Sequence, residues 1–136
     1  MSSPESTVLT ARAALEERNW DQLYRTTVPH WRKRYIPGFR SRLRSLLKHF
    51  NPPQQVTPES LDKLDRKQVF RTFLESFSRS ERWQKVLKRY ESVDYDITRI
   101  DDTTARVNLK SRFPLPYRTT TLKKTPDGWK IYDMSR

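Results

Sequence analysis

The sequence predicts an α+β fold, with N-terminal helices packed on a curved, cone-like antiparallel sheet of about four strands. Three observations predict it. Apolar residues recur at helical spacing as far as Tyr90. From Val93 the period drops to two: Val93, Tyr95 and Ile97 alternate with Asp94, Asp96 and Thr98. Near the end, Pro126-Asp127-Gly128 forms a turn, because Pro126 presets its φ, Asp127 bonds its own backbone and Gly128 accepts a positive φ. That turn feeds a closing strand with Trp129 and Ile131 on one face and Lys130 and Tyr132 on the other.

Ser3-Pro4-Glu5 supplies an N-cap, an N1 proline and an early acid for a first helix, with Val8, Leu9, Ala11, Ala14 and Leu15 on one face. Asn19-Trp20-Asp21-Gln22 has the N-x-x-Q capping spacing, so a short second helix starts at Trp20 and carries Leu23 and Tyr24. Pro29 and Pro37-Gly38 punctuate the next stretch. Phe39, Leu43, Leu46, Leu47 and Phe50 form an amphipathic stripe, bordered by the basic row Arg40, Arg44 and Lys48. Asn51 to Gln55 reads as a linker. Thr57-Pro58-Glu59 opens a further helical piece, and Asp65 caps a helix whose Val69, Phe70, Phe73, Leu74 and Phe77 give a wide apolar face. Ser78-Arg79-Ser80-Glu81 has the form of a capping box. Beyond it Trp83, Val86, Leu87 and Tyr90 point inward, opposite Arg82, Lys85, Lys88 and Arg89.

Asp101 to Thr104 turns the chain into a second strand, with Ala105, Val107 and Leu109 inward. Pro114 and Pro116 mark a bulge or edge, and Tyr117 to Lys124 reads as a Thr-rich third strand. One sheet face is then apolar, and the other carries Arg106, Lys110, Arg112 and Lys130. The 136 residues suit one domain, 1–136, with a helical part over about 4–90 and a β-meander over about 92–134.

Composition excludes several classes. Aromatic residues at 12%, including four Trp, set the chain apart from disordered sequences. With no Cys there are no disulfides, thiolate metal sites or Cys nucleophile, and the two His, His30 and His49, offer no metal-ligand spacing, so neither metal nor cofactor is expected. Gly38 and Gly128 are the only glycines, too few for a phosphate loop. No run approaches the roughly 20 apolar residues that span a bilayer. Met1 to Ser6 lacks the features of a signal peptide. The compartment is unassigned: cytoplasmic by default, extracytoplasmic for a trimmed mature domain. The net charge of +12 favours anionic partners, and eight basic residues with no acid lie between Asp21 and Glu59.

The capped first helix, the Asn19-Trp20-Asp21 break, the late meander and the Asp127-Gly128-Trp129-Lys130-Ile131 ending together resemble the nuclear transport factor 2-like (cystatin-like cone) superfamily. Gly128 to Asp133 is also similar to a strand of the bacterial phospholipid-transport, toluene-tolerance family, itself related in fold. Element order carries the likeness over most of the chain; residues carry it only in the last strand and the Asn-Trp-Asp break. Where the superfamily has an early hairpin, Tyr35 to Phe77 here reads as mostly helix. The phospholipid-transport family also continues beyond this strand. The resemblance implies helices covering a cone, with roles ranging from isomerases and hydratases to ligand-binding and protein-docking modules.

Three functional expectations follow. The first is a non-enzymatic module that takes an apolar small molecule or a protein partner on the concave sheet face, lined by Trp20, Tyr24, Trp31, Trp129 and Ile131. The second is binding to nucleic acid or an anionic lipid surface through Arg32, Lys33, Arg34, Arg40, Arg44 and Lys48. The third is an isomerase-like enzyme with His30 or Asp133 as base, Asp133 sharing the alternation of Trp129 and Ile131 and so facing the concave side. A homodimer through the sheet face needs Asp94 and Asp96 opposite Arg106, Lys110 and Arg112 of a second copy.

Overall fold

A computed structural model describes residues 2–46, 57–112 and 115–135. Lys48, His49, the 51–55 linker and Pro114 lie outside the described residues. Among the described residues six helices precede a four-stranded antiparallel meander of order β1-β2-β3-β4, an α+β arrangement.

Helix α1 (Pro4–Glu17) starts as its sequence dictates: the Ser3 hydroxyl accepts from the Ser6 amide, and Pro4 occupies N1. Its outer face includes Leu9, which is 61% exposed rather than inward. Helix α2 (Trp20–Arg25) begins at the expected cap, Asn19 Oδ1 accepting from the Gln22 amide at 3.1 Å.

Helix α3 (Pro29–Leu46) departs from expectation, running unbroken through Pro37 and Gly38. Pro37 removes the hydrogen bond to the Lys33 carbonyl. Both Pro37 and Lys33 are exposed, so water can take that bond, while Ile36 and Leu43 on the inner face are buried and hold the helix together. Helix α4 (Pro58–Leu61) and helix α5 (Arg66–Ser78) carry reciprocal capping boxes from Thr57 and Asp65. The box expected over Ser78–Glu81 does not form. Ser78 is the last residue of α5, its hydroxyl donating to the Glu75 carbonyl, and Ser80 caps α6 (Glu81–Ser92) without a side-chain bond.

The strands are β1 (Asp94–Asp101), β2 (Thr104–Lys110), β3 (Thr119–Thr125) and β4 (Gly128–Ser135). At the β1–β2 turn, Asp101 Oδ1 accepts from both the amide and the hydroxyl of Thr103, which holds its carboxyl below the ordinary range. At the β3–β4 turn Gly128 adopts φ 110°, as the turn requires. The side chain that braces it belongs to Thr125, not Asp127: Thr125 Oγ1 accepts from the Asp127 amide and donates to the Gly128 carbonyl.

β4 organises the rest of the chain. Its edge is covered by Thr26 to Val28, since the Ile131 amide donates to Thr26 O and the Val28 amide to Ile131 O. The buried Thr7 hydroxyl of α1 donates to Trp129 O at 2.9 Å. A β-bulge follows: Leu122 pairs with Ile131 but Thr121 pairs with Asp133, leaving Tyr132 as the extra residue. Two buried clusters result. One is helical, built on Trp20, Trp31, Ile36, Leu43, Leu61, Val69, Phe70 and Phe73. The other lies on the sheet, built on Ala105, Val107, Leu122 and Trp129, and Ile131 packs against both.

Candidate functional site

Between the two clusters lies a cavity of about 870 Å³. Its floor is the apolar sheet face, with Val107 and Leu109 of β2, Thr120 and Leu122 of β3, and Ile131 and Met134 of β4. Trp31 and Phe39 of α3 and Phe70 and Phe73 of α5 close one side, and Val8, Ala11 and Leu15 of α1 another. α6 supplies Trp83, Val86, Leu87 and Tyr90.

The chemistry of α6 explains the opening. Its apolar face is as clear as any in the chain, yet none of its residues is fully buried, because the face borders the cavity and packs only in part against α1 and α5. It is held at a few points. The Trp83 ring meets Phe77 edge-on at 4.8 Å. The Tyr90 hydroxyl donates to the Tyr117 carbonyl and accepts from the Tyr117 amide, tying α6 to the segment that leads into β3. Burial raises the Tyr90 phenol above its ordinary range, so it keeps the proton that it donates. Arg12 of α1 donates to the Val93 carbonyl just past the helix and stacks over Tyr95, 4.6 Å from the ring centre.

The polar part of the lining has one sign. Arg12, Arg42, Arg82, Lys85 and Arg89 reach the cavity, and no Asp, Glu or His lines it among the described residues. Sequence alternation sets Arg82, Lys85 and Arg89 opposite the apolar face of α6; they border the face instead, since each precedes an inward residue by one position. Lys88 is exposed and does not reach the lining. The cavity also holds a hydrogen-bonding anomaly. Trp31 is 5% exposed, and its indole N–H has no partner among the described residues.

Of the residues expected to line a concave site, Trp31 and Ile131 do so. Trp20, Tyr24 and Trp129 are absent from the lining. The Trp20 N–H is spent on Glu75, Tyr24 packs edge-on against Phe70 with Arg32 over its other face, and Trp129 is locked in the sheet cluster. Trp83, Leu87 and the cations of α6 were missed as site residues because an apolar helix face opposite a cavity carries the same sequence pattern as one opposite a core.

The basic stretch is largely occupied with the fold. Arg32 donates to Tyr24 O, Thr27 O and Thr27 Oγ1, finishing α2. Arg40 donates to the carbonyls of Leu61 and Leu64, clamping the α4 turn on α3, and Arg44 pairs with Asp62. Arg34 pairs with Asp133 at 2.8 Å. Lys33 and Arg42 are exposed, with no partner among the described residues.

The two expected bases stand outside the cavity. His30 stacks on Tyr132, with ring centres 4.2 Å apart. The β4 bulge gives the inward place to Met134 rather than Asp133. Asp133 accepts instead from the Tyr35 hydroxyl, the Met134 amide and Arg34. Burial alone would raise the Asp133 carboxyl; the Tyr35 hydroxyl, the Met134 amide and Arg34 outweigh it and hold the group below the ordinary range. Burial and then the Asp133 bond push the Tyr35 phenol up. Asp94 and Asp96 are exposed strand residues, Asp96 pairing with Lys110 at 3.0 Å. Compared with known proteins, the chain matches no family model, no curated protein and no solved structure.

Proposed function

We propose that the protein is a non-enzymatic binding module that holds an apolar small molecule between the sheet and α6. The observation that carries this reading is the cavity itself. Its volume of about 870 Å³ falls within the range of roughly 300–1,000 Å³ usual for small-molecule sites. Its walls are aliphatic and aromatic, and one of them is an amphipathic helix whose apolar residues are no more than half-buried. A ligand that fills this space gives α6 the contacts its sequence is written for, at about 25 cal/mol for each Å² of apolar surface removed from water.

The basic stretch supports the alternative of a nucleic-acid or lipid surface less well, because Arg32, Arg34, Arg40 and Arg44 are engaged within the chain. Titration with Nile red, a neutral apolar dye, tests the proposal. One dye should bind per chain, and Leu122→Trp, which fills the cavity from the floor, should abolish binding while the variant still unfolds cooperatively. Unchanged dye binding by the folded variant sinks the proposal.

A further inference from the structure

The charge of the lining says more about the ligand than its apolarity does. We infer that the cavity takes a single-chain amphiphile with an anionic head, the alkyl chain lying between β2–β3 and α6 and the head held by Arg82 and Lys85. This inference rests on the proposed ligand-binding role of the cavity.

Every charged side chain on the wall is a cation, with no carboxylate among the described lining residues to offset it. Arg12 and Arg89 have partners within the fold. Among the described residues Arg42, Arg82 and Lys85 have none, and all three are exposed, so their donors face solvent while their stems reach the apolar wall. Arg82 and Lys85 sit at i and i+3 on α6, neighbours on one helix face. A ladder of rings joins α3 to α6: Phe39 stacks on Phe73 at 4.2 Å, Phe73 meets Phe77 at a tilt at 4.3 Å, and Phe77 meets Trp83 edge-on at 4.8 Å. Arg82 adjoins Trp83, so the α6 pair stands at one end of that ladder, and Arg42, one turn beyond Phe39, stands at the other. A carboxylate or phosphate has the charge and the acceptors for such donors. A cationic or purely apolar ligand leaves them unused.

Volume selects the tail. At roughly 30 Å³ per water-sized group, a cavity of about 870 Å³ takes on the order of twenty to thirty non-hydrogen atoms. That suits one long chain and its head, and is about half of what a two-chain lipid needs.

The test titrates the protein with dodecanoate, dodecyl phosphate, dodecanol and dodecyltrimethylammonium below their micelle concentrations, and with vesicles of a two-chain phosphatidate. The readout is fluorescence of Trp31 and Trp83, which line the cavity, with calorimetry for stoichiometry. At least one of the two anions should bind one per chain, about tenfold or more tighter than dodecanol, and the ammonium should bind most weakly; which anion leads identifies the head. In the Arg82→Glu/Lys85→Glu double variant the preference for the anions should vanish while dodecanol binding is unchanged. Equal affinity for anions and alcohol, or a preference that survives in the double variant, overturns the inference and leaves the apolar cavity standing. Failure of all four single-chain probes overturns the cavity reading with it. Preference for the two-chain lipid overturns the single-chain assignment.

Discussion

Helices α5 and α6 follow one another, have 13 and 12 residues, and are both amphipathic, but they meet opposite fates. α5 buries Val69, Phe70, Thr72 and Phe73 and starts from a reciprocal capping box. α6 buries no residue, and its cap, Ser80, makes no side-chain bond. An apolar stripe names the face that leaves water; the surface across from it decides whether that face becomes core or the wall of a site. α5 meets α3 through the rings of Phe39 and Phe70 to Phe73, whereas α6 meets a cavity.

The contrast can be broken most directly by truncation. Phe73→Ala should cost about 3–5 kcal/mol in urea unfolding, whereas Leu87→Ala on α6 should cost no more than about 1 kcal/mol, because the space beside it is already open. Equal losses would mean that α6 is core. Arg40→Ala comes next. It strips two backbone carbonyls at the approach to α5 of a charged donor and should cost about 1.5–3 kcal/mol. Arg44→Ala, which removes a pair exposed on both sides, should stay within about 1 kcal/mol. Tyr90→Phe sharpens the α6 side. Loss of its hydroxyl should cost about 1 kcal/mol, and hydrogen exchange should accelerate across α6 while α5 amides keep their protection. Gly38→Ala, in the helix on which α5 packs, should stabilise by about 0.5 kcal/mol, since an added Cβ meets nothing within 4 Å.

The smallest effect is a pH dependence that should leave the α5–α6 difference untouched. Asp133 has a depressed folded pKa. Its stabilising contribution is therefore present above the unfolded value of about 3.9 and lost as pH falls through the folded value. Asp133→Asn should flatten the acid limb of stability below about pH 4, measured by thermal unfolding in a pH series, and a limb of unchanged steepness would refute the assignment.

Much of this fold was legible because local chemistry and tertiary structure agree. Ser3, Asn19 and Asp65 cap the helices that their spacing announces, and the change of period at Val93 marks the first strand. The misreadings share one cause. Pro37 and Gly38 look like a break when read locally, but Ile36 and Leu43 are anchored on either side of them. Arg32 and Arg40 look like a free basic patch because no sequence pattern gives the address of a carbonyl acceptor. For Arg40 those acceptors lie 21 and 24 residues away. Asp133 looks inward until a single extra residue, Tyr132, changes the alternation. Of the candidate site, Trp31 and Ile131 were found as aromatic and strand residues, whereas α6 was read as core.

The hydrogen bond from Thr7 to Trp129 spans 122 positions of the chain. With the pairing of Thr26 to Val28 along Ile131, it makes the first helices clients of the last strand. During synthesis, helices α1 to α6 leave the ribosome before the surface on which they dock exists. Their apolar stripes are exposed through that interval, and final closure waits on contacts of very high sequence separation, which slows folding. The net charge of +12 then has work to do before the native state exists: chains that repel one another have less chance to aggregate while they wait for β4.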